Sequence, residues 1–206
     1  MRKHFDTKSL VVLGLMTALT LVFSFTPIGS IPIGPLVITM NVIPIAISAV
    51  VLGPVGGGVM GAIFGLCSFL QCIGIGIPSG MGAILFDINP VLAFIQRVIP
   101  RLVDGILVGF VFKGVRRISN TYISCAVTGF CSAFFNTALF MSSLVLLFGS
   151  TDYVQELMGG KNIIVFICTF VGINAVCEMI ASTVITGAVG AALYKAKLIK
   201  PAKAAE

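Results

Sequence analysis

Long apolar stretches alternate along the chain with short segments rich in glycine, proline or basic residues. A helix that crosses a bilayer needs about 20 predominantly apolar residues. The pattern offers six such segments: residues 9–25, 36–52, 55–73, 89–117, 122–148 and 162–194. Gly53 and Pro54 separate the second from the third, while 26–35 (TPIGSIPIGP), 74–86 and 149–161 read as loops. Pro44 lies within the second segment, where an interior proline kinks a helix. The third carries Gly56, Gly57, Gly58, Gly61 and Gly65, which invites close backbone packing. The prediction is an all-α polytopic membrane protein with six transmembrane helices.

The fourth segment breaks the apolar pattern, because Arg97, Arg101 and Asp104 lie inside it. At helical spacing all three project from one face, and Arg101 is close enough to Asp104 to pair. A charge within a membrane costs several kcal/mol on the milder scales, so it persists where it faces a protein interior or a wet cavity. This helix is expected to form one wall of a polar pocket.

Composition supports the membrane assignment. Of 206 residues, 58% are hydrophobic and only 10% charged, against about a quarter charged in soluble domains. That length fills one membrane domain, residues 1–206, with no second soluble unit. The net charge of +6 suggests a nucleic-acid partner until the basic residues are located. Most cluster at Arg2, Lys3 and Lys8, at Lys113, Arg116 and Arg117, and at Lys195, Lys197, Lys200 and Lys203. With six spans these three sites share one side, which the positive-inside rule makes cytoplasmic, together with both termini. The charge therefore reports topology, and no nucleic acid is implied. The basic start followed by an apolar run looks like a signal peptide, but no small-x-small cleavage site follows, so it is read as a retained first helix.

Candidate chemistry narrows the function classes. His4 is the only histidine, and the six cysteines lack metal-site spacing and are expected to be buried apolar fillers. No metal, cofactor or catalytic constellation is predicted. The glycine-rich third segment lacks a Walker Lys and Ser/Thr, so the chain carries no recognisable ATP site. Counting from the cytoplasmic ends (Lys113, about Asn120 and Lys195) at 1.5 Å per residue puts Arg97, Asn136 and Glu178 at a common depth of roughly 24–25 Å. Arg101 lies roughly a turn deeper, and Asn174 and Asn89 lie nearer the outer lip. Two arrangements fit this layer. Arg97 pairs with Glu178 and Arg101 with Asp104 to pin the bundle, or Asp104 neutralises Arg101 and leaves Arg97 to grip a ligand carboxylate. Either arginine can be the ligand contact, and Asn89 is either a pocket residue or a helix cap. Gly14 and Ala18 form a small-xxx-small pair on the first helix, suited to internal packing or to a partner helix.

Several stretches resemble the substrate-binding S components of energy-coupling factor (ECF) vitamin transporters. They are the small-xxx-small first helix, PLVITMNVIPIAISAVVLGPVGGGVMGAIFGL, INPVLAFIQRVIPRLVDG, FNTALF around Asn136 and GINAVCEMI around Asn174 and Glu178. The last three look most like the pantothenate-specific members. The resemblance implies a subunit of a bacterial-type cytoplasmic membrane, surrounded by lipid, that binds a small water-soluble vitamin outside and topples to release it inside. Its implied partners are a transmembrane coupling subunit, met through Gly14 and Ala18, and two ATPase subunits. Family members usually have two alanines in that motif, and Gly14 preserves the close approach. Arg97 would hold the pantothenate carboxylate, with Asn136, Asn174 and Glu178 on its hydroxyls and amide. Biotin, folate and riboflavin are the other vitamins considered, and a stand-alone secondary transporter is the rival class.

Overall fold

The computed structural model describes residues 7–33 and 36–199. The charged ends, with Arg2, Lys3, His4, Lys200 and Lys203, lie outside the described residues, so the predicted side of the termini is not read from it. Helix α1 spans Thr7–Phe25, and two short strands follow, β1 (Ser30–Ile33) and β2 (Leu36–Thr39). Five further long or short helices precede the last one: α2 (Val42–Cys72), α3 (Gly80–Ile88), α4 (Pro90–Ile118), α5 (Thr121–Phe148) and α6 (Asp152–Met158). α7 (Ile163–Lys195) closes the order. Among the described residues four helices are long and apolar enough to cross a membrane, or five if α6 and the start of α7, bent by 79°, count as one span. α4 falls outside that set because Arg97, Arg101 and Asp104 interrupt its apolar run. The chain is a helical, multi-pass membrane protein.

Three features depart from the sequence reading. The strands pair antiparallel, Ser30 opposite Thr39 and Ile33 opposite Leu36, and form a short hairpin in an otherwise helical fold. Residues 36–39 are strand rather than helix, and α2 begins only at Val42, which leaves Pro44 in the first turn. There its missing N–H is one the helix leaves unbonded anyway, so the expected kink is not made at Pro44. The two loops at 74–86 and 149–161 contain short helices, capped by Ser79 and Thr151 side chains that accept from Gly82 N and Val154 N.

The break in α2 falls at Gly53, whose φ of 74° and ψ of −163° are non-helical and suit a residue without Cβ. A Cβ at Gly57 would come within 3.0 Å of Ala49 Cβ, whereas eight residues of continuous helix separate such atoms by about 12 Å. α2 is therefore two arms folded back at Gly53–Pro54, as expected for separate second and third segments. Residues 42–50 of the first arm are all buried and form the centre of the bundle.

The second arm packs on α4 backbone to backbone. A methyl added at Gly57 would overlap the Gly105 carbonyl, one at Gly61 the Arg101 carbonyl, and one at Gly65 would sit 2.8 Å from Val98 Cα. Gly105 and Gly109 return the arrangement from α4, against Gly57 and Pro54. α5 meets α7 in the same way, since a methyl at Gly129 would overlap the Ser182 carbonyl. In lipid no hydrophobic force drives helices together, so association rests on such close approach. A core of Met81, Leu85, Met141, Leu144, Phe148 and Phe166 closes one end of the bundle.

The cysteines do not behave uniformly. Cys67, Cys72 and Cys125 are buried, Cys131 is partly buried, and Cys168 and Cys177 are exposed, which corrects the expectation that all six fill the interior. In a membrane the outer face of a span is as apolar as its core, so an apolar context does not by itself signal burial.

Candidate functional site

A cavity with an empty volume of about 840 Å³, its open mouth included, lies where β2, one end of the α2–α4 seam, α5 and α7 converge. Arg97 and Arg101 enter it from α4, Asn136 and Phe140 from α5, and Asn174 and Glu178 from α7. These side chains sit at i, i+4 spacing on each helix, so each helix turns one narrow polar face inward. Five of the sequence-predicted site residues thus line one space. Asn89 does not: its side chain accepts from Val91 N (3.0 Å) and Leu92 N (3.1 Å) and caps α4, with Pro90 at the first helical position.

The two arginines are in different situations. Arg101 donates from Nη1 to the Arg97 carbonyl at 2.8 Å. Its guanidinium lies over Phe64 at 4.6 Å and over Phe140 at 4.9 Å, so two rings hold it by cation–π contact. Arg97 has long contacts to two hydroxyls, 3.5 Å to Ser68 Oγ and 3.4 Å to Ser79 Oγ, lies beside the Cys72 thiol, and stacks on Phe140 at 5.2 Å. Its Nε has no hydrogen-bond partner. Two guanidiniums therefore share one aromatic ring, and the Arg97 fork is the less committed.

Neither ion pair considered from the sequence is made among the described residues. Both Asp104 oxygens lack a hydrogen-bond partner, and Asp104 lies outside the cavity lining. Glu178 Oε1 instead accepts from Thr39 N at 2.7 Å, tying β2 to α7 across the cavity. Asn41 Nδ2 donates to Ser24 Oγ (3.0 Å) and Thr39 Oγ1 (3.1 Å), and Gln71 Nε2 donates to the Ser24 carbonyl at 2.6 Å. The hairpin, α1 and α2 are thereby joined around the mouth. Asn136 Oδ1, buried and facing the cavity, has no partner. The unpaired donors of Arg97 and the free acceptor of Asn136 suit an anionic ligand that also carries hydroxyl or amide hydrogens.

The sequence reading did not single out Ser68, Gln71, Ser79, Phe64 or Phe140 as cavity residues. Ser68 and Gln71 were findable as polar residues three apart in an apolar span, on one helical face. Phe140 stands i+4 from Asn136, but an apolar residue in an apolar helix carries no signal of its own. Gly14 and Ala18 lie on an exposed face of α1, and a Cβ at Gly14 would meet nothing within 4 Å. They do not serve internal packing.

An apolar multi-pass bundle enclosing a polar, arginine-bearing cavity is the architecture of a membrane protein that binds a small polar molecule. Comparison with known proteins agrees: residues 8–190 match the family described as ECF transporter, substrate-specific component. The chain belongs to that family. It is similar to the pantothenic acid transporter PanT of Lactococcus lactis subsp. cremoris, 29% identical over 170 residues that cover 77% of this chain and 79% of that one. It is also similar to the pantothenate transporter PanT of Leuconostoc mesenteroides subsp. mesenteroides, 27% identical over 194 residues, 89% of this chain and 91% of that one.

Proposed function

We propose that this chain is the pantothenate-capturing subunit of an ATP-driven vitamin importer. The observation that carries the reading is Arg97, a buried guanidinium in an open-mouthed cavity with no carboxylate paired to it among the described residues. Pantothenate brings one carboxylate, one amide and two hydroxyls. The carboxylate meets the Arg97 fork, with Arg101 behind it, and Asn136, Asn174 and Glu178 receive the hydroxyls and amide. Both curated relatives are named for transport of this vitamin.

The chain is a single membrane-embedded domain with six spans: α1, the two arms of α2, α4, α5 and α7. α4 spans despite its charges because they face protein rather than lipid. The basic clusters put both termini in the cytoplasm of a bacterial-type cell, and the cavity mouth outside. With no ATP motif of its own, the chain draws energy from two ATPase subunits through a transmembrane coupling subunit. The exposed Gly14 and Ala18 face of α1 receives that coupling subunit.

The test is calorimetric titration of the detergent-purified chain with pantothenate, biotin, folate and riboflavin. Tight binding of pantothenate alone, abolished in Arg97→Ala, is the expected result. Tight binding of another vitamin in its place would move the substrate and leave the class. Uptake into proteoliposomes by the lone chain, without ATP or partners, would overturn the subunit reading in favour of a secondary transporter.

A further inference from the structure

α3 begins at the cavity wall, with Ser79 and Met81 both in the lining. The first four N–H groups of a helix have no partner within it. Two of them are answered locally here: Ser79 Oγ accepts from Gly82 N at 3.2 Å, and the Ser79 carbonyl accepts from Ala83 N at 2.9 Å. No acceptor among the described residues takes the amides of Gly80 and Met81, which stand first and second in the helix.

The tip of Arg97 reaches this same end of α3. Its Nη2 donates to Ser79 Oγ at 3.4 Å, and a Cβ on Gly82 would lie 2.9 Å from that nitrogen. Arg97 is 5% exposed, and its Nε has no hydrogen-bond partner. A helix N-terminus carries about half a positive charge, and the first turn of α3 holds no acid to offset it. Neither buried acid comes to the junction: Glu178 is tied to Thr39 N, and Asp104 lies outside the lining. Two like poles are thus held together in a low-dielectric interior, and an anion set between them satisfies both.

We propose, on the reading of the cargo as a carboxylate, that its carboxylate is seated between the Arg97 fork and the N-terminus of α3, one oxygen on the guanidinium and the other on the amides of Gly80 and Met81. A carboxylate only accepts, and this junction offers donors. A hydroxyl in its place brings no charge to set against either pole. Gly82 keeps the approach open, since a Cβ there would also stand 2.6 Å from Cys72 Sγ.

The Gly80 amide is removable without altering a side chain of the cavity. Proline fits the first helical position, whose N–H the helix leaves unused, and Ser79 already has the extended backbone (φ −93°, ψ 107°) favoured before a proline. A Cβ at Gly80 meets nothing within 4 Å. The experiment is calorimetric titration of the full chain with pantothenate in the wild type, Gly80→Pro and Gly80→Ala. Gly80→Pro is expected to bind about 10- to 100-fold more weakly, as for loss of a hydrogen bond to a charged group, with no fall in its thermal unfolding midpoint. Gly80→Ala keeps the N–H and is expected to bind as the wild type does. Equal affinity in Gly80→Pro and wild type overturns this inference alone, and so does an equal loss in Gly80→Ala. Should Gly80→Pro fail to fold, nuclear magnetic resonance of the wild type labelled at methionine nitrogen replaces it. The Met81 amide proton, assigned by its loss in Met81→Leu, is expected to move downfield when pantothenate saturates the chain, and an unmoved resonance overturns the inference. Absence of pantothenate binding in the wild type brings down the substrate reading, and this inference with it.

Discussion

α4 is one helix with two unlike halves. Its N-terminal half carries Arg97 and Arg101 into a cavity in which neither meets a carboxylate, while its C-terminal half presses Gly105 and Gly109 onto the α2 backbone. The first half leaves polar groups unsatisfied, and the second leaves no space at all. The two are connected through Gly61 and Gly65, which abut the Arg101 carbonyl and the turn after Arg97. A charged group in a membrane is useful for recognition only if its backbone does not shift when the ligand is absent. The glycine seam supplies that rigidity without adding a polar contact that competes with the ligand.

Breaking the open half should have the largest effect. Arg97→Ala is expected to weaken pantothenate binding by about 100-fold or more, near the 2–5 kcal/mol typical for truncating one member of a buried charge pair. Calorimetry measures it, and the thermal unfolding midpoint should not fall, because a buried charge without a carboxylate partner is removed. An unchanged affinity would shift the contact to Arg101.

Breaking the closed half acts on stability first. Gly61→Ala puts a methyl into the Arg101 carbonyl, and overpacking of this kind costs roughly 1–3 kcal/mol. Thermal unfolding in detergent should show the loss, with weaker pantothenate binding beside it as Arg101 moves. Full stability in that variant would mean that the seam is looser than the backbone contacts indicate.

Smaller effects sharpen the same contrast. Phe140→Leu removes the ring shared by both guanidiniums, and cation–π contacts of about 0.5–2 kcal/mol predict a roughly 3- to 30-fold weaker affinity. Gly14→Ala, on the exposed face of α1, should leave folded stability unchanged or raise it by up to about 1 kcal/mol, since Ala is the better helix former and the added methyl meets nothing. A loss there would mean that α1 packs through Gly14 after all.

Long segments were easy to read. The expected 89–117 and 122–148 differ from α4 (Pro90–Ile118) and α5 (Thr121–Phe148) by a residue at one or both ends. Each starts at an asparagine whose side chain caps the helix, Asn89 or Asn120. Short elements were not. α3 and α6 are too brief for an apolar period to stand out from a glycine-rich loop, although their Ser79 and Thr151 caps were visible. LVIT at 36–39 is apolar in a way that serves a strand or a buried helix equally. Asn89 had two readings from sequence, and the local hydrogen bonds from Val91 and Leu92 decide for the cap.

The sequence by itself determined the membrane class, the long helices and the conjunction of Arg97, Asn136 and Glu178 at one depth, with Arg101 below it and Asn174 above, because helical period and rise are the same in every helix. Tertiary structure decided which of those groups meet and which stay apart. Arg101 and Asp104 are neighbours by spacing, yet Arg101 turns to the Arg97 carbonyl and two Phe rings, and Glu178 answers the backbone of β2 instead of an arginine. Partner choice depends on how close the other helices come. That distance is set by glycines on the facing helix, which one helix's pattern does not encode.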